Sequence, residues 1–265
     1  MPQPRHTGAS PSWYKSPLPW LTTVAVSLST FAVGWHMEPT VTPPQALRAS
    51  GYQFIEPLLV DNVNDSRVFP ENRSLSANIR SVIDAHIRSG DISKASAYFV
   101  DLKNDAWSDV YPDERFYPSS MGKIPLMIAY YQMAEHDSHI LDEKLPYNGG
   151  PDLNQRQDIK PAEAIVAGRT YTVEQLIEYM VKDSDNNATA LLYNGVDHSA
   201  LDTLYAELNI PTTPIVVNES DLDSVNPEQI SELFRILYNA TYISRDYSEK
   251  ALQLMSDSSF TPLRM

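Results

Sequence analysis

The run LPWLTTVAVSLSTFAVGWHM, residues 18–37, carries no charged side chain and limits where the rest of the chain can fold. A helix of about 20 residues rises roughly 30 Å, the thickness of the hydrocarbon layer of a bilayer. Trp20 and Trp35 stand near the two ends of the run, where indole favours the interface. Arg5 and Lys15 precede it and no acid does, which keeps the short tail on the cytoplasmic side. A cleaved signal peptide and a buried core helix are the competing readings. A signal peptide has a shorter apolar core and a small-x-small cleavage site, whereas VGWHMEP places bulky residues there. The expectation is a cytoplasmic tail over 1–16 and an uncleaved transmembrane signal anchor over 17–37. Everything after it faces outside the membrane.

Residues 38–71 have scattered prolines and no sustained periodicity, which reads as an extracytoplasmic linker with one short ordered segment. Beyond it, 72–265 forms a single domain. SLSANIRSVIDAHIRS, 74–89, sets Leu75, Ile79, Val82, Ile83 and Ile87 on one helical stripe. KASAYFVDLKNDAWSDVY then reads as two strands turning at Lys103-Asn104-Asp105. Ser119 to about Glu135 is a long apolar helix, and 172–182, 185–194, 198–208, 227–239 and 247–256 read as further helices. Helix, hairpin and then a run of helices is an α+β order. A lone hairpin does not hold a stable sheet, so strands are in deficit.

The chain has no cysteine, which excludes disulfides, thiolate zinc sites and a cysteine nucleophile. A formal net charge of −14 repels nucleic acid and anionic lipid alike. The remaining chemistry gathers around two short stretches. In YPSSMGKIPLMIAYY, 117–131, Ser120 lies three residues before Lys123 at the start of the apolar helix. Residues three apart share a helix face, so the two side chains can approach each other. A serine hydroxyl needs a positioned base, and a lysine serves as one only when burial or neighbours lower its pKa. The plainer reading is that Ser119 or Ser120 caps the helix and Lys123 is solvated. The second stretch, MVKDSDNNATALLY, presents Ser184-Asp185-Asn186 between two helices, where Ser184 or Asp185 also suits an N-cap.

Ser-x-x-Lys opening a helix, followed 64 positions later by Ser-Asp-Asn, resembles the penicillin-recognising serine hydrolases, most closely the class A β-lactamase group. ERFYPSSMGKIPLMIAYYQ is similar to that family's nucleophile helix, and GRTYTVEQLIEYMVKDSDNNATALL to the approach to its second motif. LYNATYISRDYSEKALQLMSDSSF is similar to its later helical hairpin. The resemblance covers about 74–260. It implies a β-lactamase/transpeptidase-like helical bundle packed on an antiparallel sheet, with no metal and no cofactor. Ser120 is then the acylated nucleophile, and Lys123 takes part in activating it. Ser184 relays a proton to the leaving nitrogen, and Asn186 binds the substrate's side-chain amide and Lys123. Asp185 is structural. The implied partner is a small molecule, a β-lactam or a peptidoglycan-like D-Ala amide.

Two departures qualify that expectation. The family's deacylating glutamate lies on an Ω-loop within Glu-x-x-Leu-Asn, while ESDLD here supplies Glu219 and puts Asp223 in the asparagine position. A solvated acidic loop is the other reading of that stretch. The third motif, Lys-Thr-Gly on a cleft-closing strand, has no counterpart after Gly195, the last glycine. The expectation is a chain truncated before that motif, lacking C-terminal strands of the sheet. A non-catalytic or degenerate domain binding a cell-wall peptide or a partner is the rival. Glu135 beside His136 and His139 lacks a further matched ligand set and reads as a solvated helix end.

Overall fold

The computed structural model describes residues 47–60, 71–102, 106–210 and 225–259. The apolar run at 18–37, the turn at 103–105 and Glu219 lie outside them. Among the described residues no helix is long and apolar enough to cross a membrane.

Part of the expected linker is packed against the domain. Strand β1, Leu47–Arg48, pairs antiparallel with β2, Leu58–Val60. Between them Ile55 is buried, and the Glu249 carboxylate accepts hydrogen bonds from the backbone N–H groups of Gln53, Phe54 and Ile55. Arg48 reaches across to the Leu102 carbonyl and to Asn239 Oδ1. Sequence pattern does not reveal this packing, because it is made by single side chains rather than by periodicity.

Helix α1, Arg73–Ser89, begins where the Asn72 side chain accepts from the Leu75 N–H. It ends at Gly90, whose φ of 83° suits a left-handed C-cap. Its apolar stripe is only half used. Ile83 is buried, but Val82 is 59% and Ile87 37% exposed. α1 lies on the hairpin through the side holding Ser76 and Ile83 and leaves Val82 and Ile87 open. The hairpin itself is as expected. β3, Ala97–Val100, pairs antiparallel with β4, Trp107–Val110, in the register Ala97↔Val110 and Val100↔Trp107.

The core forms around α2, Ile124–His136, in which every residue from Ile124 to Tyr131 is buried. A helix that is apolar on all sides must be surrounded, and each fully covered large aliphatic contributes about 1.5–3 kcal/mol. Pro125 is tolerated because it sits in the first turn, where its missing N–H has no partner to lose. The surrounding elements are α3, Val173–Lys182, α4, Asn186–Gly195, α5, His198–Glu207, α6, Pro227–Tyr238, and α7, Arg245–Ser256. Tyr131 stacks on Tyr247 at 5.1 Å. Tyr130 donates to the Leu192 carbonyl at 2.7 Å, and a Cβ on Gly195 would meet that phenol oxygen at 3.3 Å. Gly195 therefore leaves room for the Tyr130 hydroxyl at the end of α4.

A second hairpin leaves no clear mark in the sequence pattern. β5, Lys144–Tyr147, pairs antiparallel with β6, Arg169–Thr172. Pro146 within KLPY hides it, since proline argues against a strand. The pair closes a loop over 148–168 and holds its ends together, which brings a short 3-10 turn, Leu153–Arg156, against α4.

Candidate active site

The stretch before α2 is shaped by its backbone. Phe116 and Val225 exchange two backbone hydrogen bonds, of 2.9 and 3.0 Å, which anchors the approach to Ser120. Ser119 then adopts a φ of 50°, and Ser119–Lys123 winds as a 3-10 helix before α2 begins at Ile124. The apolar helix expected from Ser119 is thus 3-10 for its first five residues. Neither serine caps it, for Pro118 holds the cap position without a side-chain bond. Ser120 is exposed, while Lys123 one turn on is only 7% exposed.

Ser184 sits on the α3–α4 connection with a φ of 60°, a left-handed conformation that a serine adopts at a cost of order 1 kcal/mol. The next residue holds that strain in place. Asp185 is fully buried and caps α4: its Oδ1 accepts from the N–H groups of Asn187 and Ala188 and from Asn154 Nδ2. Its Oδ2 accepts from the Ile165 N–H. The capping role that sequence leaves open to either residue is filled by Asp185, and the Ser184 hydroxyl is left to point elsewhere.

It points at Ser120. The two hydroxyl oxygens are 2.7 Å apart, and Lys123 Nζ donates to Ser184 Oγ at 2.9 Å and to the Ser184 carbonyl at 2.7 Å. The result is an unbroken chain of hydrogen bonds from an exposed hydroxyl to a buried amine. Burial pulls the Lys123 ammonium down to about 8, and the nearby Asp185 carboxylate opposes that shift. An amine in that range holds a useful neutral fraction near physiological pH. A solvated Lys123 is excluded by this geometry.

The structure brings together Ser120, Lys123 and Ser184, the last by a route that spacing alone does not give. Ser120 and Lys123 are linked through Ser184, with no direct hydrogen bond between them among the described residues. Asn186 lies beside the chain, but its described bond runs from its backbone N–H to Asn154 Oδ1 at 2.7 Å. Its side chain makes no described bond to Lys123. Sequence pattern does not single out Asn154 and Gln157, since a polar loop gives no periodic signal. Asn154 is buried and bridges the loop to both Asp185 and Asn186.

A family profile described as the "Beta-lactamase enzyme family" matches residues 74–265. The chain belongs to that family. Its fold is shared by a PBP-A mutant solved as an acyl-enzyme with penicillin G, at 20% identity and a TM-score of 0.59. That match covers 74% of this chain and 73% of the other. The β-lactamase of Sphaerobacter thermophilus is similar at 18% identity and a TM-score of 0.55, over 70% of each chain. That of Francisella tularensis is similar at 17% and 0.56, over 69% of this chain and 70% of its own. Among curated proteins nothing matches the chain. The β-lactamase family assignment and these likenesses agree on the fold.

Proposed function

We propose that this β-lactamase-family chain is an extracytoplasmic serine hydrolase that forms an acyl-enzyme on a β-lactam or a D-Ala-type amide. The observation that carries the reading is the Ser120–Ser184–Lys123 hydrogen-bond chain ending on a buried lysine. Neutral Lys123 accepts the proton of Ser184 as Ser184 accepts that of Ser120, and Ser120 Oγ bonds to the amide carbonyl carbon. When the tetrahedral intermediate collapses, the C–N bond breaks. The leaving nitrogen takes a proton from Ser184, which is resupplied by the Lys123 ammonium, leaving an ester on Ser120. Water then releases the acyl group, with Glu219 as the proposed base. Asn186 is proposed to bind the substrate's side-chain amide. The uncharged run over 17–37 is proposed to anchor the protein, on hydropathy and the flanking charges alone.

Incubation of the full chain with a fluorescent penicillin, followed by peptide mass analysis, tests the assignment. A label on Ser120 that vanishes in Ser120→Ala is the expected result. Equal labelling of Ser120→Ala would overturn it. Rapid turnover lost in Glu219→Gln identifies a β-lactamase; a persistent adduct identifies a peptidase-like protein. No adduct, with reversible ligand binding kept in Ser120→Ala, identifies the rival binding domain.

A further inference from the structure

The loop over 148–168 sends one side chain into the site that no motif names. Gln157 comes directly after the 3-10 turn Leu153–Arg156 and is half-buried. Its Nε2 donates to Asn154 Oδ1 at 2.9 Å and to the Ser184 carbonyl at 3.1 Å. That carbonyl is also the acceptor for Lys123 Nζ, so its two lone pairs serve one amide and one amine. Asn154 Oδ1 in turn accepts from the Asn186 N–H, tying both sides of the Ser184 turn to one loop.

We propose that Gln157 is a positioning residue for the Ser120–Ser184–Lys123 chain. By sharing the Ser184 carbonyl with Lys123, it fixes the left-handed turn that aims the Ser184 hydroxyl. It also limits how strongly that carbonyl holds the ammonium form of Lys123. The inference rests on the reading of Ser184 as the proton relay.

The physical basis is a competition for one oxygen. A hydrogen bond to the charged form of a titrating group favours that form, and a carbonyl already occupied by an amide offers less to an ammonium. Removing the amide frees a lone pair and lets the carbonyl turn towards Nζ. The charged and titratable groups on the elements around this site are Lys182 at the end of α3, Asp183 and Asp185 on the α3–α4 connection, Asp152, Arg156, Asp158, Lys160 and Glu163 on the loop, and Tyr147 at the end of β5. Asp185 is bound by four donors, Asp152 by Asn187 Nδ2 and the Asn154 N–H, and Asp183 by Ser259. Lys160 is held by the carbonyls of Asn154, Gln155 and Gln157. None of them replaces Gln157 at the Ser184 carbonyl.

The test is an NMR titration of the full chain carrying lysine labelled with ¹³C at Cε, the Lys123 signal being the one lost in Lys123→Met. Gln157→Met keeps the side-chain length and removes the donor. It is expected to raise the Lys123 midpoint by about half a pH unit, and Gln157→Glu to raise it further because a carboxylate favours the ammonium. The rate of penicillin labelling at pH 7 should fall about threefold in Gln157→Met and recover at higher pH, so that the pH–rate curve shifts while its plateau is kept. An unchanged midpoint in Gln157→Met would overturn the proposal, as would a rate lowered by the same factor at every pH. A midpoint shifted in Gln157→Met while the parent takes no penicillin would leave the positioning role standing and remove the acylation reading. Should Gln157→Met not fold, Gln157→Asn, one methylene short of the carbonyl, decides the question on the same criteria.

Discussion

The Ser184 turn and the β3–β4 hairpin are held in place by different physics. Around Asp185 the polar groups are almost all paired: four donors converge on one buried carboxylate, and Asn154 links the loop to it. Between the hairpin and α1 the apolar side chains are only partly covered, with Phe99 47%, Val82 59% and Ile87 37% exposed. A hydrogen-bonded hub fixes directions, which a proton relay requires. A half-covered apolar face fixes only proximity and tolerates small shifts. The geometry of the Ser120–Ser184–Lys123 chain should therefore depend steeply on the first region and weakly on the second.

The largest effect expected from this contrast is at Asp185. Asp185→Ala removes the acceptor for three backbone N–H groups and the Asn154 amide, all in a buried setting. Unsatisfied buried donors cost about 1–3 kcal/mol each before relaxation, so a net loss of about 3–5 kcal/mol is expected in urea unfolding. A loss below about 1 kcal/mol would mean that the hub is not what holds the turn. Asp185→Asn, which keeps one acceptor oxygen, should lie between the parent and the alanine variant.

Next in size is a pH dependence. Lys123 titrates near 8 when folded, below its ordinary value of 10.5, because burial penalises the ammonium. Between these values the unfolded chain binds more protons than the folded one. Through this group stability therefore rises with pH across that window, by on the order of 3 kcal/mol in total. Burial pushes the phenols of Tyr130, Tyr131 and Tyr205 upward, which lowers stability with rising pH only above about 10. The clean interval is thus about pH 8 to 10, where the slope of unfolding free energy in the parent should exceed that in Lys123→Met. Equal slopes would show that Lys123 is not buried as a strained cation. Lys123→Met should also be the more stable protein at pH 7, a stability lost to function in the parent.

Much of this is legible in the sequence where periodicity or spacing carries it. The five helices from 172 to 256 follow apolar periodicity, and their ends come within two residues of the pattern. Ser120, Lys123 and Ser184 are readable because their spacing repeats a known pair of motifs. The β5–β6 hairpin is not, since Pro146 masks a four-residue strand. Nor are Asn154 and Gln157, which act through tertiary hydrogen bonds that leave no period in the chain. The direct approach of Lys123 to Ser120 that helical spacing allows gives way to a path through Ser184, whose hydroxyl stands within hydrogen-bond distance of both side chains. The half-used stripe on α1 shows the reverse limit: periodicity reports which residues can be buried, and the elements packed against them decide which of them are.

The smallest effect sharpens the comparison most. Phe99 shares a strand face with Ala97, opposite Ser108 and Val110 on β4, and Ser108 Oγ donates to the Asn72 carbonyl at the start of α1. Phe99 thus lies on the side where α1 packs, yet nearly half of it remains open. Only part of each side chain is withdrawn from water there, so truncation has a modest amount to lose. Phe99→Thr should lower unfolding free energy by about 1–2 kcal/mol and Val82→Thr by no more than about 0.5–1 kcal/mol, and both should leave the Lys123 titration midpoint unmoved. A larger stability loss in either variant would mean that the face is covered in solution. A shift of the Lys123 midpoint would be more damaging, because it would couple the hairpin to the Ser184 turn and dissolve the distinction between a region that aims the relay and one that merely shares its domain.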